Sequence, residues 1–228
     1  MIEHPLVLTD FIPLINKIPH HILWTIIADV LIIFTVFKAV KGLKMIPSEK
    51  LTISNVYELI TEFVDTMLSE TFGEKGRAFI YLVGTILVFI LTCNFLGLIP
   101  GFYPATENVN TNFAMSIIVF LIYNFYGIQK QGLGKYLKHM MGPMPALAPL
   151  MFPIEVISHF ARILSLAIRL FGNIFGDHKV LLVILSLVPL IVPVVFYGMG
   201  VLVAVLQAYV FTLLSMVYIQ LAIEEEEH

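Results

Sequence analysis

The chain has 228 residues, 59% of them hydrophobic and only 13% charged, with a mean hydropathy of +0.93 and a formal net charge of −3. Soluble domains carry about 25% charged residues, so this composition excludes an ordinary water-soluble fold, and the weakly acidic balance excludes an electrostatic nucleic-acid binder. The reading that remains is an all-α polytopic membrane protein, one integral membrane domain over residues 1–228.

In chain order, the first membrane helix is predicted over 22–38, whose apolar run ILWTIIADVLIIFTVF falls a little short of the roughly 20 residues that a crossing needs. Lys17 is the only basic residue before this run and the basic cluster follows it, the reverse of a cleavable signal peptide. Asp29 within the run has two readings, a channel acid or a hydrogen-bonded acid near the interface.

Residues 51–76 differ in kind. Ile53, Val56, Ile60, Phe63, Val64 and Met67 recur near helical spacing beside Glu58, Glu62, Asp65, Glu70 and Glu74. This pattern predicts an amphipathic helix at the membrane surface, its acidic face either meeting a partner subunit or simply solvated.

Further spans are predicted over 78–99 and 113–128. Cys93 in the first of these is the only cysteine, which excludes an internal disulfide. The last two apolar stretches, 150–187 and 190–223, each exceed 30 residues, so they are strongly tilted or broken. Pro189 and Pro193, with Ser186 before them, mark a turn that makes the pair a hairpin.

Basic residues set an orientation. Lys38, Lys41, Lys44, Lys50, Lys75 and Arg77 precede residue 78, and Lys130, Lys135 and Lys138 follow residue 128. The loop from Pro100 to Asn112 has no Lys or Arg and a single acid, Glu107. The positive-inside rule then places the N-terminus and the 100–112 loop outside, and residues 38–77, 129–149 and the Glu224–Glu227 run inside.

Within 150–187 lies a cation that never discharges, because arginine keeps its proton under all biological conditions. Arg169 at bilayer depth costs about 2.5–3.5 kcal/mol even on the lenient insertion scale, and such residues normally face a bundle interior, a cavity or a partner. At about 100° per residue, Glu155, Ser158, Arg162, Ser165, Arg169, Asn173 and Gly176 share one stripe, with Gly172 at its edge. Small residues there admit a second helix, and the polar ones lie along the contact. Taken singly, the serines also suit bonds to their own backbone, the glycines ordinary helix packing, and Glu155 and Arg162 snorkelling to water. Arg169 wants a carboxylate. Asp177, the nearest in sequence, is about 12 Å along the helix, so a second subunit is the expected supplier.

At these residues the chain resembles the a subunit of rotary ATP synthases, through SLAIRLFGN (165–173), Glu155 upstream and LQAYVFTLLSMVYI (206–219) downstream. The resemblance covers essentially the whole chain. It implies a stator that conducts protons through two offset half-channels to and from the carboxylates of a c-subunit ring, coupling proton flow to rotation and ATP synthesis. Arg169 matches the family's essential arginine facing the rotor carboxylate, and Asn173 and Gln207 match polar residues beside it. Asn94 in CNFLGLIPG matches an asparagine near the outer half-channel, Glu155 and Ser158 match positions of the inner one, and Tyr218 matches a tyrosine near the end of the last helix. The implied partners are the c ring, the peripheral-stalk b subunits, the remaining synthase subunits and the lipid bilayer, in a bacterial inner membrane. No catalytic residue, metal or cofactor is expected in the chain.

Two positions depart from the family pattern. His178 stands where bacterial relatives often have glutamate, with Asp177 just before it, and Gly200 stands where they have histidine. The expectation is a compensated exchange that puts the His178 imidazole opposite the space at Gly200, with Asp177 as the only near candidate for a partner acid; both acid and imidazole are expected in the proton path. Other classes fit less well. A secondary transporter with a mid-membrane charged site is the alternative, but no repeated halves are visible. The seven histidines contain no H-E-x-x-H pattern, His20 and His21 point to different faces, and His139 and His159 read as interfacial or packing residues.

Overall fold

The computed structural model describes residues 19–42, 52–99, 102–140, 148–187 and 192–223. Regular structure among them is all helical, and five helices are long and apolar enough to cross a membrane: His20–Lys41, Gly76–Gly97, Val109–Gln131, Pro149–Leu187 and Pro193–Ile223. The Pro189 turn, the basic Lys44 and Lys50, and the Glu224–Glu227 run lie outside the described residues.

Helix α1 (His20–Lys41) buries only Trp24, Ala28 and Ala39, while Ile33, Phe34, Phe37 and Val40 are exposed. A helix apolar on its outer faces suits lipid as solvent. Lys38 and Lys41 in its last turn complement the negative end of the helix dipole. Thr52 Oγ1 caps α2 (Ile53–Phe72) by accepting from the Asn55 amide at 3.4 Å. Ser54 Oγ donates to Ala39 O at 2.9 Å, and Thr35 Oγ1 lies 2.8 Å from Tyr57 Oη, so α2 is stitched to α1.

The amphipathic helix expected over 51–76 stops at Phe72. Gly73 adopts φ +63°, a conformation that glycine takes without strain, and a 3-10 segment (Gly73–Phe79) leads into α3 (Ile80–Gly97). Helix α2 buries Val64, Met67 and Leu68 and exposes Val56, Leu59 and Phe63.

Beyond α3 a 3-10 turn (Ala105–Glu107) precedes α4 (Val109–Gln131), which Asn108 caps by accepting from the Asn110 amide at 2.9 Å. The cap starts the third span four residues before its apolar run, at Val109 rather than 113. A short α5 (Leu133–Met140) follows Gly132. Leu133, Tyr136, Leu137 and Met140 recur at helical spacing in it, and Tyr136 Oη donates to Asn124 Oδ1 at 2.7 Å.

Helices α6 (Ala148–Leu187, 40 residues) and α7 (Val192–Ile223, 32 residues) pack on each other. At 1.5 Å per residue they measure about 60 and 48 Å. The hydrocarbon core is about 30 Å thick, so a bilayer holds them only with tilt or with ends that project. The core joins Val64 and Leu68 of α2, Val83, Ile86 and Ile90 of α3, Val119 and Tyr123 of α4, Leu166 and Leu170 of α6, and Phe211 and Met216 of α7. A smaller cluster of Trp24, Ala28, Cys93, Leu96 and Ala105 ties α1 to the 3-10 turn after α3.

Candidate functional site

Helix α6 has two faces. Leu166, Ala167, Leu170 and Ile174 point into the bundle, while Ser165, Ile168, Arg169, Gly172 and Asn173 are exposed. The polar stripe therefore lies outward, away from the chain's own core. Arg169 Nη2 donates to Ser165 Oγ at 3.3 Å, one turn earlier. Among the described residues no carboxylate of this chain pairs with it, and it is bonded to neither Asn173 nor Gln207. A methyl group added to Gly172, Gly176 or Gly198 meets nothing within 4 Å. Packing within the chain thus does not explain the glycines on the stripe. Apolar side chains are exposed along α6 at Leu164, Ile168 and Phe175, and along α7 at Val201, Val205 and Leu206. Gln207 is buried on α7.

Toward one end of α6 a second cluster forms. Glu107, on the 3-10 turn, is 3% exposed, and its carboxylate lies 2.6 Å from His178 Nδ1 and 3.1 Å from Lys179 Nζ. Burial alone raises the Glu107 pKa, but the hydrogen bond and charge of His178, then those of Lys179, outweigh it and hold the carboxyl below its ordinary value. Tyr103 nearby is pushed up to about 12 by burial and by the Glu107 charge.

This geometry corrects two expectations. The acid that meets His178 is Glu107, 71 residues away in sequence, and not the adjacent Asp177. Nor does the imidazole fill the space at Gly200: a Cβ there comes within 2.8 Å of Asp177 Oδ2 and 2.7 Å of Leu98 Cδ2. The Asp177 carboxyl occupies that space. Consecutive residues on a helix point about 100° apart, so His178 and Asp177 serve different neighbours. Glu107 was legible only as the lone charge of a loop without Lys or Arg, an anion whose cation had to come from elsewhere.

Asn94 is buried and clamps the same turn. Its Oδ1 accepts from Thr106 Oγ1 at 2.8 Å and its Nδ2 donates to Ala204 O of α7 at 3.2 Å. Asn112 Nδ2 donates to Thr106 O at 2.7 Å. One turn apart on α4, Asn112 Oδ1 and Ser116 Oγ are buried without a partner among the described residues.

At the other end of α6, Glu155 Oε1 lies 3.6 Å from His159 Nε2 and 3.8 Å from Arg162 Nη2. Arg162 stands over the Tyr218 ring with its Cζ 5.5 Å from the centroid, and Ser158 is half-buried on the same helix. Glu155, Arg162 and Tyr218 are thus one cluster. The polar residues form three groups along α6: Arg169 with Ser165, the Glu107–His178–Lys179 cluster, and the Glu155 cluster. No group of three His, Cys, Asp or Glu side chains with metal-binding geometry occurs among the described residues.

Comparison with known proteins shows the family. The family model described as ATP synthase A chain matches residues 22–220. The chain is 47% identical over 202 residues to ATP synthase subunit a of Geotalea daltonii, covering 89% of this chain and 86% of that protein. It is 42% identical over 229 residues to ATP synthase subunit a 1 of Pelobacter propionicus, covering 97% and 98%, and 47% identical over 182 residues to the subunit a of Bdellovibrio bacteriovorus, covering 80% of each.

Proposed function

The chain belongs to the ATP synthase A chain family, and from that premise we propose that it works as the stator through which protons reach and leave a rotor, with Arg169 as the fixed cation at the crossing point. It is a membrane component of the ATP synthase complex. The observation that carries the reading is the position of Arg169: exposed on the outward face of α6, beside glycines with free space, and unpaired by any acid among the described residues. A permanent charge placed so needs an anion from outside the chain. A ring of c subunits, each with a mid-membrane carboxyl, supplies one at every step of rotation.

Electrostatics gives the mechanism. The guanidinium favours the ionised form of whichever rotor carboxyl faces it, so each carboxyl releases its proton on approaching the stator. The same charge repels protons moving directly from one half-channel to the other. What it guards is about 2.3 kcal/mol per proton for each 100 mV of membrane potential. Asn173 and Gln207 flank this point on α6 and α7. The outer half-channel runs past Asn94, Asp177, His178 and Glu107, and the inner one past Glu155, Ser158 and Tyr218. In this reading the N-terminus is outside and the C-terminus in the cytoplasm of a bacterial plasma membrane, and the peripheral-stalk b subunits hold the stator against rotation.

Arg169→Ala tests the reading in membrane vesicles. Coupled proton pumping disappears while the complex still co-purifies with its c ring, because an apolar side chain makes insertion easier and removes only the charge. Arg169→Lys fails nearly as badly, since an ammonium loses the planar fork and deprotonates when desolvated. Near-normal pumping by the alanine variant refutes the mechanism.

A further inference from the structure

His159 is 8% exposed and lies between α4 and α6. Its Nδ1 is 2.6 Å from the hydroxyl of Tyr123, itself 1% exposed. The two rings stack at 5.7 Å and 17°, and Phe120 meets the imidazole edge-on at 6.1 Å. Such an imidazole is fixed in orientation. Its other nitrogen, Nε2, faces Glu155 Oε1 at 3.6 Å, and the same oxygen is 3.8 Å from Arg162 Nη2. A closed arginine–carboxylate hydrogen bond is about 2.7–2.9 Å long, so this oxygen is suspended between two nitrogens and bonded to neither. Arg162 is in turn held over the Tyr218 ring.

We propose that His159 is a positioning residue of the inner half-channel, anchored by Tyr123 so that its Nε2 keeps the Glu155 carboxylate from closing an ion pair with Arg162. The proposal rests on the reading of Glu155 as the acid of that half-channel. An acid that takes up and releases protons has to stay free of a permanent cation, because a closed pair with arginine keeps a carboxylate ionised. Glu155 and Arg162 share a helix face two turns apart, and α6 by itself offers nothing to hold them open. The phenol from α4 and the imidazole do so. The titratable and charged groups around His159 are Glu155 and Arg162 on its own helix, Tyr123 on α4, Tyr136 on α5 and Tyr218 on α7. An imidazole gains and loses a proton, so its hold on Glu155 varies with the pH of the inner side.

The test is ATP-driven pumping in inverted vesicles containing the whole complex, with the pH of the medium varied and assembly checked by co-purification of the c ring. His159→Leu lets Glu155 close on Arg162. Its pumping falls about tenfold, within the coupling range of residues in one network, and the pH profile loses the component that the imidazole contributes. Adding Arg162→Gln to that variant removes the competing cation and restores at least half of the rate. Tyr123→Phe deletes the anchoring hydroxyl, which also faces Arg162, and lowers pumping about threefold. Wild-type rate and profile in His159→Leu, or a loss that Arg162→Gln does not relieve, overturns the proposal. Should His159→Leu fail to assemble, Tyr123→Phe decides, and an unchanged rate and profile overturns it. Glu155→Gln separates the two levels. Wild-type pumping there refutes Glu155 as a channel acid and the proposal with it, whereas impaired pumping there beside an unaffected His159→Leu refutes the proposal alone.

Discussion

Replacing Glu107 by glutamine keeps the shape of the side chain and removes its charge from the contact with His178 and Lys179. The Coulomb attraction across the 3.1 Å gap to Lys179 is about 5 kcal/mol at an effective dielectric of about 20. Lys179 is 37% exposed, so solvent screens much of this, and burying the carboxylate costs several kcal/mol that an amide avoids. What changes is that Lys179 keeps its charge but loses the opposite one, and the amide offers one acceptor oxygen where the carboxylate offered His178 and Lys179 one each. The net loss is about 2 kcal/mol, roughly 30-fold in the balance between docked and undocked turn. Hydrogen exchange of the amides around 105–108 in the purified complex reads this directly, and proton-driven ATP synthesis reads its consequence; exchange speeds up and synthesis slows. An acid titration adds a second arm. The Glu107 pKa is depressed in the fold, despite burial, by the hydrogen bonds and charges of His178 and Lys179. Its contribution to stability is therefore complete above the unfolded carboxyl value near 4.5 and is lost as the pH falls through the folded value. Wild-type protection collapses in that acid window, and Glu107→Gln shows no such step. Equal exchange rates at neutral pH, or the same acid step in both proteins, refute the argument.

His178→Ala slows proton-driven turnover by about tenfold or more while the complex stays assembled, and His178→Glu recovers part of it; undiminished pumping by the alanine variant reduces His178 to packing. Single cysteines at 103–111 label from outside and those at 130–138 from inside in a Cys93→Ser background, and labelling of both loops from one side overturns the five-span topology. Gly200→Ala drives a methyl group against Asp177 Oδ2 and Leu98 Cδ2, at 2.8 and 2.7 Å. Both are side-chain ends able to shift, so the cost is near the low end of the about 1–3 kcal/mol typical of overpacking. Pumping falls because the Asp177 carboxyl is displaced, and a double-mutant cycle with Asp177→Asn gives strongly non-additive losses; additive losses refute the contact.

The sequence by itself determined the solvent, the number of crossings and the exceptional residue. These follow from local quantities: runs of apolar residues against bilayer thickness, and an arginine within such a run. Helix ends were less legible: Gly73 stops α2 at Phe72 and the Asn108 cap starts α4 at Val109, and the apolar pattern marks neither end. The pairing of distant side chains was a different matter. Helical periodicity put Glu155, Arg162 and Arg169 on one stripe, but whether the stripe faced the core or the outside depended on which face α4 and α7 covered. Local spacing suggested Asp177 as the partner of His178, yet tertiary packing brought in Glu107 from the loop after α3, because the Asn94–Thr106–Asn112 clamp fixes that turn against α7 and α4. In sequence His159 reads as an interfacial or packing residue; the fold puts the Tyr123 hydroxyl of α4 on its ring nitrogen. Periodicity reports the direction of a side chain from its own helix axis and nothing about what another helix brings to meet it. That second half of each contact was decided by the fold alone.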